Sequence, residues 1–140
     1  MKLLKALLAL AFIVVSPTTP LFAEEKPAAS AGDAEYEKAL VQMVVEAEKL
    51  GVLFAGVSDA ATAQSSLPHI NAAINELDKA RAKGASLSKP AKPVMDAMSA
   101  KHGVRLRTAM TKLGTEANRI NGIAPASGVL KESLAKALKK

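Results

Sequence analysis

Residues 36–57 read YEKALVQMVVEAEKLGVLFAGV, and their spacing decides the fold. Tyr36, Leu40, Met43, Ala47, Leu50, Phe54 and Val57 follow at alternating steps of four and three. That rhythm keeps them on one helical face through about six turns. Val41, Val44 and Leu53 widen the stripe, so this helix is expected to touch two neighbours. Just upstream, Asp33 is a good N-cap, and Glu35 and Glu37 suit the positive helix start. The first helix is therefore predicted over 33–57. Gly51 lies inside it, costs about 1 kcal/mol relative to Ala, and suggests a close approach by a neighbour.

Downstream, Ser58-Asp59 marks a boundary, with Asp59 as the next N-cap. Ala60, Ala63, Leu67, Ile70, Ile74 and Leu77 again step by three and four, predicting a second helix over 60–83. Pro68 falls inside it and is read as a kink in one helix rather than a break between two. Gly84 is the expected C-cap, and 84–92 (GASLSKPAK) reads as a loop. Pro90 or Pro93 then opens a third helix running to about Asn121, on whose apolar face lie Leu106, Met110, Leu113, Ala117 and Ile120. The stripe drifts near Gly103, which suggests a bend or a change of neighbour. Asn121-Gly122 is expected to end this helix in a left-handed conformation, with Pro125 preventing continuation. Leu130, Leu134 and Leu138 give the remainder, 123–140, the pattern of a short basic amphipathic helix, which either covers the open end of the bundle, the favoured reading, or lies apolar side down on an anionic membrane surface. No alternating β-branched run long enough for a strand is present.

The expected fold is all-α: an up-down-up bundle of three long amphipathic helices over 33–122, followed by a short C-terminal helix. Rods of about 25 residues, near 37 Å each, make a slender molecule, which favours a homodimer.

Upstream of the bundle, Lys2 and Lys5 precede an apolar run over 6–15. Then come the breaker Ser16-Pro17-Thr18-Thr19-Pro20 and a small residue, Ala23, before Glu24. This is the layout of a secretory signal cleaved after Ala23, and the run falls short of the roughly 20 residues that span a bilayer. Residues 24–32 (EEKPAASAG) read as a flexible leader. The product is expected in the bacterial periplasm or outside the cell, with no transmembrane segment after signal removal.

The 140 residues carry 19 Lys and Arg against 13 Asp and Glu, a formal charge of +6 that becomes +4 once Lys2 and Lys5 leave with the signal. There is no Cys, which excludes disulfides, thiolate metal sites and a Cys nucleophile. One Tyr, three Phe and no Trp argue against a stacking platform for nucleic acid. No G-x-S-x-G elbow, phosphate-cradling glycine loop or acid/base pair stands out, so no enzyme and no cofactor are expected. His69 and His102 share no metal-ligand spacing and read as ordinary partly buried histidines. Met43, Met95, Met98 and Met110 sit at helical spacing, where Met is core filler. A metal or haem carrier is a further alternative on those side chains.

Charge is unevenly distributed. Over 33–57 there are five acids and two bases; over 78–112 there are two acids and nine bases. On the third helix Lys101, Arg105, Lys112 and Arg119 project onto one narrow stripe. It reads either as a docking surface for an anionic glycan, a lipid head group or an acidic protein, or as a solvated face whose charges aid solubility and attract the acidic first helix. An exposed apolar groove between helices one and three, suited to cargo or chaperone-like binding, is the alternative functional reading.

The stretch from Asp59 through Pro68 to Leu77, then Gly84, Pro90 and Met98/Gly103/Leu106/Met110, resembles small exported bacterial helical proteins of unknown function. These are short secreted chains with an Ala-rich, Pro-interrupted helical hairpin. The likeness spans 36–120 and carries over no functional residue. Spy-type periplasmic chaperones are similar in class only, because their repeated Leu-Thr-x-x-Gln motif is absent here.

Overall fold

A computed structural model describes residues 30–138. The expected signal segment 1–23 and most of the expected leader 24–32 lie outside the described residues. Four helices follow in order: α1 Ala31–Ala55, α2 Ala60–Ser86, α3 Lys92–Asn121 and α4 Ala124–Ala137. No strand occurs among the described residues.

Local chemistry moves several boundaries away from those the sequence predicts. Ser30, not Asp33, caps α1. The Ser30 hydroxyl accepts from the Asp33 amide at 3.1 Å, and the Asp33 carboxylate accepts from the Ser30 amide at 2.8 Å. This reciprocal box satisfies two otherwise unpaired donors and starts the helix at Ala31, inside the expected leader. Asp59 does cap α2: its Oδ1 accepts from the Thr62 amide at 2.8 Å, while the Thr62 hydroxyl accepts from the Asp59 amide at 3.0 Å. α2 then runs through Pro68 as one helix. Pro68 has no amide hydrogen to give the Gln64 carbonyl, and both residues are exposed.

Gly84 does not end α2. The helix continues to Ser86, and Leu87 leaves it with an extended backbone (ψ 148°). A Cβ at Gly84 would lie 3.7 Å from Met43 Cε and 3.9 Å from Ala39 Cβ, so Gly84 packs against α1 instead of capping. Pro93 sits in the first turn of α3, as expected of a helix opener. Gly122 is not left-handed: it has φ −76° and ψ −12°, and its amide donates to the Arg119 and Ile120 carbonyls. The chain turns at Ile123 instead, and Pro125 opens α4 rather than merely ending α3.

α1 packs on α2 and on α3, and α4 packs on both α2 and α3. No Cα of α2 comes within 8 Å of a Cα of α3, and none of α1 within 8 Å of α4. The helices therefore occupy the corners of a four-helix bundle, with α1 diagonal to α4 and α2 diagonal to α3. The fourth corner is short. α4 has 14 residues, about 21 Å, whereas α3 has 30, about 45 Å.

The core follows this inequality. Phe54, Leu50, Ile70, Ile74, Leu113, Ile120 and Leu130 are all fully buried in one cluster at the end where α4 completes the bundle. The C-terminal segment thus covers the bundle, with Leu130 and Leu134 inward; Leu138 stays largely exposed.

Candidate functional site

The four basic residues singled out in α3 form one row, and that row faces α1. Lys101 Nζ donates to Glu37 Oε1 at 2.7 Å. His102 Nε2 lies 2.7 Å from the same oxygen, with its ring only 13% exposed. Arg105 grips Glu48 with both arms of its guanidinium. Arg119 Nε donates to Glu116 at 2.7 Å, and its Nη2 donates to the Phe54 carbonyl at 2.8 Å. The last turn of α1 contains no base of its own, so Arg119 places a cation from α3 at its negative end. Lys112 lays its stem across Gly51, where a Cβ would lie 3.6 Å from Lys112 Cγ. Among the described residues the Lys112 ammonium has no ion-pair partner. Three of the four cations thus direct hydrogen bonds to α1, and the sequence's charge asymmetry is used to join two helices.

These contacts shift the acids they touch. The His102 and Lys101 hydrogen bonds hold Glu37 below the usual carboxylate range, and Arg105 does the same for Glu48. On the other flank of α1, Glu35 bridges Lys38 and Lys83, each at 2.7 Å, and its pKa falls from 4.5 to about 2. The three acids are about a third or more exposed, so their contacts with exposed Lys and Arg contribute modestly to stability.

Two further features bear on binding. A crevice of about 490 Å³ lies between α2 and α4, lined by Asn71, Asn75, Lys131, Glu132, Ser133 and Lys136 among others. In its wall the buried Ser133 hydroxyl donates to Asn71 Oδ1 at 2.8 Å. Sequence reading passed over this pair. Its one signal was a Ser beside Leu134, at a position the helix turns inward.

The second feature is the corner that α4 leaves empty. Burial loosens in part beyond α4, although Ala39, Val44, Ala80 and Met98 stay buried there. On α1, Leu50 and Phe54 are fully buried, whereas Tyr36 and Met43 on the same face are half-buried. On α3, Leu113, Ala117 and Ile120 are buried, whereas Leu106 and Met110 are half-buried. On α2, the buried Ile70, Ile74 and Leu77 are followed at the next step of four by Arg81, whose partner is the exposed Asp78. Beyond α4, the corner between α2 and α3 is thus bounded by half-buried apolar residues of α1 and α3, with Arg81 on α2.

Among the described residues, no group of three His, Asp or Glu side chains is placed to hold a metal ion. His69 is exposed on α2, far along the chain from the His102–Glu37 contact, and the structure does not bring the two histidines into one site. No described helix is long and apolar enough to cross a membrane. Comparison with protein-family models, with curated proteins and with solved structures finds no match.

Proposed function

We propose that this chain is an exported, non-enzymatic bundle that binds a partner in the corner α4 leaves open. The observation that supports it most directly is the length mismatch. α2 and α3 stand apart along their whole lengths, yet α4 fills the space between them for only about half of it. Half-buried Met43 and Met110 suit such a surface, because unbranched thioether side chains adapt to varied apolar partners, and half-buried Leu106 adds apolar area. Export follows from the charged, apolar and small-residue order of 1–23, and the mature chain begins at Glu24 on this reading.

The test uses the exported protein. Mass measurement of the secreted product should give an N-terminus at Glu24. The purified mature chain should bind an apolar fluorescent dye while fully helical by circular dichroism, and Leu106→Glu should abolish that signal without melting the helices. Absence of dye binding below the unfolding transition overturns the cleft reading.

A second reading rests on what is left of the basic face. Arg107 and Lys112 carry no ion-pair partner among the described residues, and both line a shallow depression of about 430 Å³ on the outside of α3. An anionic glycan or lipid head group bound there would be released by salt, since exposed charges are screened within about 8 Å at physiological ionic strength. Binding to anionic glycan that is unchanged between low and high salt, or absent at both, removes it.

A further inference from the structure

We propose that the crevice between α2 and α4 binds a short peptide with free ends. Glu132 takes its ammonium, Lys131 and Lys136 take its carboxylate, and Asn71 and Asn75 take its amide bond. The site is separate from the corner that α4 leaves open, and it does not rest on the cleft reading above.

The crevice holds about 490 Å³, within the range of about 300–1,000 Å³ found for small-molecule sites. Leu67, Ile74 and Val129 give its lining an apolar part. On the α4 side the mouth is unobstructed, since a Cβ at Gly128 would meet nothing within 4 Å. The polar part of the lining is left unsatisfied by the protein. Ser133, only 3% exposed, gives its hydroxyl proton to Asn71 Oδ1 at 2.8 Å. That bond orients the Asn71 carboxamide and leaves its Nδ2 hydrogens without a partner among the described residues. Asn75, one turn further on the same face of α2, makes no side-chain hydrogen bond among the described residues.

Glu132 stands apart from the other acids. Among the described residues, Asp33 and Asp59 cap helices, and the remaining acids form ion pairs. Glu132 has neither kind of partner. Lys136 follows it by four residues, the order that favours a pair on a helix surface, yet the two are not joined. Lys131 has no ion-pair partner among the described residues either. One carboxylate and two ammonium groups are therefore free around a single crevice.

Both signs of charge at one small site select a ligand that carries both. A simple anion would meet Glu132, and a simple cation would meet the two lysines. Spacing sets the length. Glu132 and Lys136 stand about 6 Å apart along α4, at 1.5 Å per residue. Two extended residues span up to about 7 Å, and one residue about half of that. A dipeptide therefore reaches from one charge to the other. Its amide bond has both a donor and an acceptor to meet in the Asn carboxamides.

The test uses the mature chain, 24–140, with alanyl-valine as the probe. Its N-acetyl form, its C-terminal amide and free valine are the comparisons. Binding is read by NMR from the side-chain amide signals of Asn71 and Asn75. The free dipeptide should shift both signals. Each blocked form should bind roughly tenfold more weakly, the loss of one charge-assisted hydrogen bond. Free valine should also bind more weakly, because it does not span Glu132 and Lys136. Glu132→Gln should remove the preference over the N-acetyl form, and Lys131→Gln with Lys136→Gln the preference over the amide. All three side chains are exposed, so the fold should survive, as helicity would report. Unshifted Asn71 and Asn75 signals at millimolar dipeptide overturn the proposal. So does equal binding of the free dipeptide and either blocked form, or a charge variant that keeps its preference. Valine binding as tightly as the dipeptide overturns the peptide as occupant.

Discussion

Arg105 holds Glu48 through two parallel hydrogen bonds, Nε to Oε1 and Nη2 to Oε2, each 2.6 Å long, so that the middle of α3 is fastened to the middle of α1. A planar guanidinium meets a carboxylate in two places, which fixes orientation as well as distance. Reversing one charge, Arg105→Glu, should lower the denaturation midpoint, because two carboxylates would then face each other. Exchanging both, with Glu48→Arg, should recover more than half of that loss. A double exchange that recovers nothing in urea denaturation would show that the pair does not join the helices.

Acid should loosen α1 from both neighbours at once. Glu35, Glu37 and Glu48 all have folded pKa values below their ordinary value of 4.5. A group depressed on folding contributes stability that is fully present above its unfolded pKa and is lost as pH falls through the folded value. For Glu35 that window runs from 4.5 down to about 2. The thermal midpoint should therefore decline across it, and Glu35→Gln should flatten part of the decline. A midpoint independent of pH over this range would contradict the assignment.

The residues that misled sequence reading have something in common. Gly84 and Asn121-Gly122 are both strong local stop signals; α3 does end at Asn121, though Gly122 is not left-handed, whereas Gly84 does not end α2. Gly84 is held in α2 by its contact with Met43 and Ala39, a tertiary effect that no local pattern reveals. Ser30 was read as leader because the capping box depends on Asp33 reaching back to it. By contrast, the apolar stripes, the Asp59 cap and the passage of α2 through Pro68 were legible, since periodicity over five or six turns outweighs a single breaker. The basic row on α3 was legible as a row. Its attraction to α1 was one of two readings and could not be singled out, because a helix projection says which side chains share a face and not what that face meets. Of the fourth corner only a short amphipathic C-terminal helix was legible; that it occupies a corner, and that α2 stands apart from α3, appears only in three dimensions.

Glu46 is the buried charge that α1 keeps against α2. It is 6% exposed; its Oε1 accepts from Gln42 at 3.0 Å, but its Oε2 has no hydrogen-bond partner, with Lys49 Nζ 3.6 Å away. A buried acceptor left unpaired costs about 1–3 kcal/mol. Replacing it by an apolar residue of similar size removes that cost and adds packing. Glu46→Met should raise stability by about 1 kcal/mol. A loss of similar size in chemical denaturation would mean that the Lys49 contact outweighs the unpaired oxygen.

The two leucines of the C-terminal segment should separate cleanly. Leu130 is fully buried among α1, α2 and α3 residues, and Leu130→Ala should cost about 2–5 kcal/mol through lost burial and the cavity left behind. Leu138 is 39% exposed, and Leu138→Ala should change stability by no more than about 0.5 kcal/mol. Equal small effects would mean that α4 does not dock in solution. The lower half of the cleft would then be open as well, and dye binding would rise.

Gly51 and Gly84 sit at the two seams of α1, and neither is as tight as its position suggests. A Cβ at Gly51 would lie 3.6 and 3.7 Å from the flexible stem of Lys112, and 3.9 Å from the Leu113 amide nitrogen. At Gly84 the nearest atom, Met43 Cε at 3.7 Å, is also the end of a flexible chain. These are ordinary van der Waals separations, so a methyl group fills space without forcing the helices apart. Glycine inside a helix costs about 1 kcal/mol relative to alanine, chiefly through the freedom it retains when unfolded. Gly51→Ala and Gly84→Ala should each stabilise by up to about 1 kcal/mol. Their effects should add, because they lie on opposite seams and share no partner. Gly103 gives the internal contrast: its Cβ would meet Ser99 Oγ at 3.2 Å, so Gly103→Ala should gain less than either. Thermal melts of the three single variants and the Gly51/Gly84 double variant decide the matter. A destabilised Gly51→Ala would mean that α1 and α3 approach more closely than the Lys112 stem allows.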